Sequence, residues 1–157
     1  MKLKKTYTLE DAIGYAKRYC SMQETSRKDV KDKLLKLGLD NKAIEKIILQ
    51  LIQEDYINEQ RYAELYTRSK IKYNKWGRIK IKRMLLFKGI DIGDINFAFD
   101  QIDQQEYMKV LEHLFDKKLS SLSIEDEYQK KYRINYFLSS HGFEPNLIEQ
   151  LFKSKGM

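Results

Sequence analysis

Nine basic side chains fall between Leu65 and Lys88, and no Asp or Glu stands among them. They are Arg68, Lys70, Lys72, Lys75, Arg78, Lys80, Lys82, Arg83 and Lys88, and the same segment holds Tyr66, Tyr73, Trp76 and Phe87. The rest of the chain has 21 Lys and Arg against 23 Asp and Glu, so the formal net charge of +7 comes from the +9 of this basic segment and −2 elsewhere. Such a segment attracts polyanions or an acidic protein surface, through a field that salt screens over about 10 Å at 0.1 M.

The alternative is that these cations contact water and bind no partner, as is usual for lysine-rich helix faces. Two observations weigh against it. No residue of opposite charge is available within the segment for pairing at i,i+4, and the only tryptophan, Trp76, stands at a break between predicted helices. Two interpretations of Trp76 are open: it packs between helical units, or it contacts a partner.

Residues for catalysis or metal binding are not found in a usable arrangement. His113 and His141 are far apart and belong to no HExxH or Cys/His pattern, and no glycine-rich phosphate loop is present. Cys20 falls on an apolar helical stripe, which indicates a small buried hydrophobic residue rather than a reactive thiol. We therefore expect no enzyme activity, no metal and no cofactor.

The composition favours a folded, soluble protein. The chain has 157 residues, of which 42% are hydrophobic and 34% charged, and its mean hydropathy is −0.64. The start of the chain lacks the apolar core of a signal peptide, and no run approaches the roughly 18 apolar residues of a membrane span. A cytoplasmic protein without a membrane anchor is expected.

Helix signals recur along the whole chain and predict an all-α fold. Predicted helix starts are Thr8, Ser26 with Asp29, Asp40, Asn58, Asp103 and Pro145, and predicted helix ends are Gly38, Gly89 and Gly142. Apolar residues recur between them at helical spacing; Leu9 and Ala12 open the first stripe, and Ile92 and Ile95 open the sixth.

The three helix-ending glycines reveal an internal repeat, because they lie 51 and 53 residues apart. Apolar residues recur eight and four positions before each glycine and one, six and ten positions after it. In that order the sets are Val30, Ile81, Ile134; Leu34, Leu85, Leu138; Leu39, Ile90, Phe143; Ile44, Ile95, Ile148; and Ile48, Phe99, Phe152. This pattern predicts three tandem three-helix repeats of about 50 residues at 8–56, 57–102 and 103–157, forming an elongated, curved body.

The run YINEQRYAELYTRSK followed by WGRIKIKRMLLFKGI resembles the signature of the bacterial RecX family of regulatory proteins. The matching elements are Tyr62-Ala63, the basic run from Arg68 to Lys75, Gly77-Arg78, and Leu85 followed by Lys88-Gly89-Ile90. The resemblance spans about residues 9–153 and is strongest in the middle repeat. One departure is Asn58-Glu59, where many members have Asp; Asn caps a helix as Asp does, so no functional consequence is expected.

The resemblance implies a negative regulator of homologous recombination and DNA repair. Such a protein binds the RecA recombinase filament on single-stranded DNA, limits its extension, and inhibits its ATPase and strand-exchange activities. The residues expected to meet the filament or DNA are Arg61, Arg68, Lys72, Tyr73, Lys75, Trp76, Arg78, Lys82 and Arg83. A monomer is expected. The alternative is a stand-alone helical protein that binds single- or double-stranded DNA through its basic middle repeat.

Overall fold

The computed structural model describes residues 7–157, and within that range the chain forms nine α-helices and no strand. The helices are α1 (Leu9–Met22), α2 (Arg27–Lys36), α3 (Asn41–Gln53), α4 (Glu59–Asn74), α5 (Arg78–Phe87), α6 (Ile92–Asp100), α7 (Gln104–Ser121), α8 (Glu127–Ser140) and α9 (Pro145–Ser154). The predicted all-α class is confirmed. We refer to α1–α3 as the first trio, α4–α6 as the middle trio and α7–α9 as the last trio.

The helix starts are held by the side chains that the sequence indicated. Thr8, Ser26, Asp40, Asn58 and Asp103 each accept a hydrogen bond from a backbone amide of the first helical turn. At Thr8 and Ser26 the bond is reciprocated, because the carboxylates of Asp11 and Asp29 accept from the cap's own amide. Pro145 is the first residue of α9, where its missing N–H costs nothing.

The three predicted helix-ending glycines share one backbone conformation. Gly38, Gly89 and Gly142 have φ values of 82°, 76° and 89°, in the left-handed region that glycine adopts most readily. Each amide donates to the carbonyl three residues earlier, at 3.0, 3.0 and 2.9 Å. The chain therefore leaves α2, α5 and α8 in the same way. The number of repeats, their boundaries and the elongated, curved shape stay predictions.

Most of the repeated apolar positions are buried, in two separate cores, whereas Leu39, Ile48 and Phe99 are partly buried. At the positions eight and four before each glycine and six after it, all nine side chains are at most 1% exposed. The first trio encloses its own cluster, which extends to Ile57. The middle and last trios share a second, continuous cluster that runs from Tyr62 to Phe152. The middle and last trios therefore form one packed body, with the first trio beside it.

Two residues predicted on buried stripes are instead exposed at helix ends. Leu9 and Ile92 are 48% and 46% exposed, and each is the first residue of its helix, α1 or α6. A first residue lies beyond the turns that the neighbouring helices cover, so helical spacing alone overestimates its burial.

The middle and last trios meet backbone to backbone at Gly77 and Gly142. The Gly77 amide donates to the His141 carbonyl at 2.7 Å, and the Ile79 amide donates to the Gly142 carbonyl at 3.0 Å. A Cβ placed on Gly77 would lie 2.4 Å from the Gly142 carbonyl carbon, closer than non-bonded atoms come. Gly77 has an ordinary φ of −88°, so this close approach, rather than its conformation, requires glycine there.

Tyr107 of α7 closes the same joint with a polar network. Its hydroxyl accepts from the Arg78 amide at 2.9 Å and donates to the Glu144 carboxylate. The other Glu144 oxygen pairs with the Arg78 guanidinium at 2.9 Å. Burial raises the pKa of the Tyr107 hydroxyl, and the bond to Glu144 raises it further, so the group is a neutral donor at all physiological pH values.

Replacing Tyr107 with Phe should lower the free energy of unfolding by about 1–3 kcal/mol, because the Arg78 amide and the Glu144 carboxylate lose a partner in a partly buried setting. Urea denaturation followed by circular dichroism measures the change. Tyr128→Phe is the matched control, since that ring is 81% exposed. Equal stabilities of the two variants would contradict the role given to the Tyr107 hydroxyl.

The first and middle trios are joined by ion pairs. Arg61 Nε lies 2.5 Å from Glu24 Oε1, and Arg27 Nε lies 2.9 Å from Glu59 Oε1. Lys88 Nζ lies 3.3 Å from Asp29 Oδ1. No buried apolar cluster among the described residues spans this joint, so its contacts are more sensitive to salt than those between the middle and last trios.

Cys20 is buried in the first trio, as predicted, and Thr25 donates a hydrogen bond to its sulfur at 3.3 Å. Burial raises the pKa of the thiol, so the reactive thiolate is scarce at neutral pH.

We expect Cys20 to react with a disulfide reagent such as dithionitrobenzoate at least about 100-fold more slowly in the folded protein than in urea, because the thiolate is suppressed and access requires local opening. Absorbance at the wavelength of the released thiolate follows the reaction. Equal rates in the two conditions would show that the site is open.

Candidate partner-binding surface

Helix α4 orients the first half of the basic segment. Asn58 caps its start, and Ala63, Thr67 and Ile71 face the shared core. Residues three and four apart lie on one helix face, so Arg68 and Lys72 come together on the side next to the buried stripe. The helix ends at Asn74, and the left-handed φ of 56° at the following residue, Lys75, turns the chain towards Trp76.

Arg68, Lys72 and Lys75 line one groove, with a volume of about 470 Å³, between α4 and the start of α7. Its floor is apolar and includes Ile71, Ala98, Ile102, Tyr107 and Val110. Its remaining charged walls are acidic and consist of Glu64, Asp103 and Glu106. The α4 groove, as we call it, therefore has an apolar floor and charged walls of both signs in equal number.

Thr67 adds an unsatisfied polar atom to this groove. The residue is 1% exposed, and its hydroxyl has no hydrogen-bond partner among the described residues. An orphaned buried hydroxyl costs free energy.

Two of the predicted contact residues are held by ion pairs that link separate trios. Arg61 binds Glu24 of the first trio and Asp55, at 2.5 and 3.1 Å, and thereby links the first and middle trios. Arg78 binds Glu144 at 2.9 Å and Gln104 at 2.7 Å, and its guanidinium lies 4.0 Å from the centre of the Tyr107 ring. Both guanidinium groups therefore stabilise the packing between trios next to this surface.

The remaining predicted residues differ in how freely they are presented. Tyr73 is 72% exposed. Lys82 and Arg83 are exposed on α5 and form no ion pair with any residue from 7 to 157. Trp76 packs against the shared core, and the ammonium groups of Lys70 and Lys80 lie 4.9 and 4.5 Å from its ring. These surroundings favour the interpretation of Trp76 as a packing residue.

Sequence reasoning missed the acidic residues that neutralise part of the basic segment. Glu64 stands one residue before the segment and pairs with Arg68 at 2.9 Å. Asp29 and Glu144 reach Lys88 and Arg78 from the other trios. The i,i+4 partner Glu64 was visible in the sequence, whereas the other two pairs depend on how the trios pack.

Helix α8 carries a second surface that sequence reasoning also missed. Tyr128, Tyr132 and Tyr136 are 81%, 63% and 68% exposed and follow one another at intervals of four residues. That spacing places them on one face of the helix, away from the buried Ile134 and Leu138. The regular spacing was the available signal.

The described part of the chain holds no group of three or more His, Cys, Asp or Glu side chains suited to a metal ion. None of the helices searched within residues 7–157 is both long and apolar enough to cross a membrane.

Comparison with known proteins relates the chain to one family. Residues 58–98 match the model of the second three-helix domain of RecX. A protein called Regulatory protein RecX from Oceanobacillus iheyensis is 32% identical over 147 residues, and one from Clostridium tetani is 33% identical over 132 residues. These alignments cover 93% and 83% of this chain but 54% and 60% of the relatives, so the chain spans little more than half of their length.

Solved structures relate the chain to the same family. The crystal structure of RecX from Lactobacillus salivarius superposes with a TM-score of 0.84 and 29% identity, over 93% of this chain and 95% of that one. A second structure, of regulatory protein RecX, has a TM-score of 0.83 at 23% identity, over 90% of this chain and 71% of that one, and shows the shared fold. From its middle trio, its aligned relatives and its fold, the chain belongs to the RecX family of regulatory proteins.

Proposed function

We propose that the protein is a negative regulator of homologous recombination and DNA repair that binds the RecA filament on single-stranded DNA. In this proposal it limits filament extension and inhibits ATP hydrolysis and strand exchange by binding, without chemistry or a cofactor of its own. Membership of the RecX family supports the regulatory role. The protein would act as a monomer in the cytoplasm, where the recombinase works.

The character of the α4 groove is the observation that carries the proposal. Three cations and three carboxylates surround an apolar floor. Bare phosphate backbone would be repelled by Asp103 and Glu106, whereas a protein segment can offer apolar and charged groups of both signs. The groove therefore favours a protein partner over naked DNA at this position.

The residues proposed to contact the filament are those whose side chains are accessible. Arg68, Lys72 and Lys75 would meet acidic groups of the filament at the groove. Lys82 and Arg83 would extend the cationic surface along α5, and Tyr73 would serve as an aromatic anchor. Arg61, Arg78 and Trp76 would act indirectly, by holding the trios in place around that surface.

The test is ATP hydrolysis by RecA on single-stranded DNA, with this protein titrated from well below stoichiometric amounts and the recombinase taken from the same organism. We expect inhibition at a low ratio of protein to recombinase, because a bound regulator blocks further growth of a filament of many subunits. No inhibition, together with tight and steeply salt-dependent binding to bare DNA, would replace the proposal with the stand-alone nucleic-acid-binding alternative.

A further inference from the structure

The three exposed tyrosines of α8 have no role in the fold or in the α4 groove. Within residues 7–157, the rings of Tyr128, Tyr132 and Tyr136 make no hydrogen bond, ring contact or cation contact. Large aromatic side chains are rarely left this exposed in a row without a partner. We call these three residues the tyrosine ridge.

Grooves run along both sides of the tyrosine ridge. The larger, of about 920 Å³, is lined by all three tyrosines, and Lys118 and Arg133 are its only charged side chains among residues 7–157. The smaller, of about 410 Å³, lies beside Tyr128 and Tyr132 and contains Lys131 and Glu149. Lys118, Lys131 and Arg133 form no ion pair with other described residues, so their charges are available to a ligand.

We propose that the tyrosine ridge binds single-stranded nucleic acid, with bases stacked on the tyrosine rings and phosphates held by Lys118, Lys131 and Arg133. Aromatic rings that alternate with cations are how proteins bind single strands without sequence preference. The site lies in the last trio, apart from the basic segment, and does not depend on the proposed action on RecA.

The regular spacing matches a polymer that repeats an aromatic group. A helix rises about 1.5 Å per residue, so tyrosines four residues apart are separated by about 6 Å along α8. Bases in a duplex strand stack at about 3.4 Å. The ridge therefore suits bases that have been drawn apart, which a single strand allows and a duplex does not.

The charge around the ridge favours nucleic acid over a protein partner. The α4 groove has walls of both signs, but the larger ridge groove has cations alone. The acidic residues Glu125, Asp126 and Glu127 are confined to the start of α8, and Lys130 pairs with Glu127 at 3.1 Å. A strand would therefore be held most strongly near Tyr132 and Tyr136.

The experiment measures fluorescence anisotropy of a short labelled oligodeoxythymidine with the full chain at low salt and without recombinase. Changing all three tyrosines to Ala should weaken binding on the order of 100-fold, because each lost ring removes a base-stacking contact and only part of the strand is engaged at once. The matched variant with Phe at all three positions keeps the rings and should bind within about threefold of the parent protein. Circular dichroism verifies helicity, since the positions are exposed.

A second variant preserves the rings and removes the charges. Changing Lys118 and Arg133 to Glu should weaken binding on the order of tenfold and flatten its salt dependence. A duplex of the same length should bind more weakly than the single strand.

Several outcomes would overturn the proposal. They are an absence of binding by the parent protein, unchanged binding by the Ala variant, and equal binding of the duplex. Loss of recombinase inhibition in the Ala variant with DNA binding intact would assign the ridge to a protein partner instead. Failure of recombinase inhibition in the parent protein would leave this DNA-binding test unaffected.

Discussion

Gly142→Ala is expected to lower the free energy of unfolding by about 3–5 kcal/mol, one of the largest losses that a single methyl group can cause. A Cβ on Gly142 would lie 2.3 Å from Lys80 Cβ and 2.5 Å from the Lys80 amide nitrogen. Backbone cannot move aside as a flexible side chain can, so the middle and last trios would have to separate. Urea denaturation of the full chain measures the loss.

Gly89→Ala is the matched control for that substitution. Gly89 has a similar left-handed φ of 76°, but a Cβ there would meet nothing within 4 Å. The control should lose only the conformational penalty of about 1–2 kcal/mol. Equal losses at the two glycines would show that the trios do not approach each other as closely as the structure has them.

Changing Arg68, Lys72 and Lys75 together to Glu is expected to raise the concentration needed for half-inhibition of the RecA ATPase by at least about tenfold, or 1.4 kcal/mol. The change turns the cationic wall of the α4 groove acidic, so both walls would repel acidic groups on a partner. Arg68 and Lys72 lie on the exposed side of α4 and Lys75 follows its end, so the helix itself should remain folded, which circular dichroism verifies.

The control for this variant makes the same change in net charge elsewhere. Lys36, Lys42 and Lys46 are exposed on α2 and α3 and form no ion pair with residues 7–157. Changing them to Glu should leave inhibition within about twofold of the parent protein if local rather than total charge matters. Full inhibition by the groove variant would remove these three residues from the proposed contact surface.

Local signals in the sequence were sufficient for the helices and their turns. The caps at Thr8 and Asn58 and the left-handed glycines depend on interactions within a few residues, so they are visible in one stretch of chain. The buried positions followed from helical spacing for the same reason, except at first residues such as Leu9. The all-α class is the sum of these local signals.

The candidate site was less predictable because it depends on contacts between distant segments. Arg78 was assigned to a partner, but Glu144 lies 66 residues away in sequence and 2.9 Å away in space. Two of the three acidic groups of the α4 groove, Asp103 and Glu106, come from the N-cap and first turn of α7, and no pattern within the basic segment reports them. The composition identified a basic segment. The packing of the trios shows which of its side chains form internal ion pairs and which do not.

Because the two cores are separate, a destabilising core substitution should have different consequences in the first trio and in the other two. The α4 groove and the tyrosine ridge both belong to the body formed by the middle and last trios. We expect the first trio to unfold as its own cooperative block if its core is damaged, because no buried apolar cluster among residues 7–157 joins it to the other two trios. Core substitutions at Val30 or Leu34 would then spare both binding surfaces, whereas the equivalent changes at Leu85 or Leu138 would destroy both together.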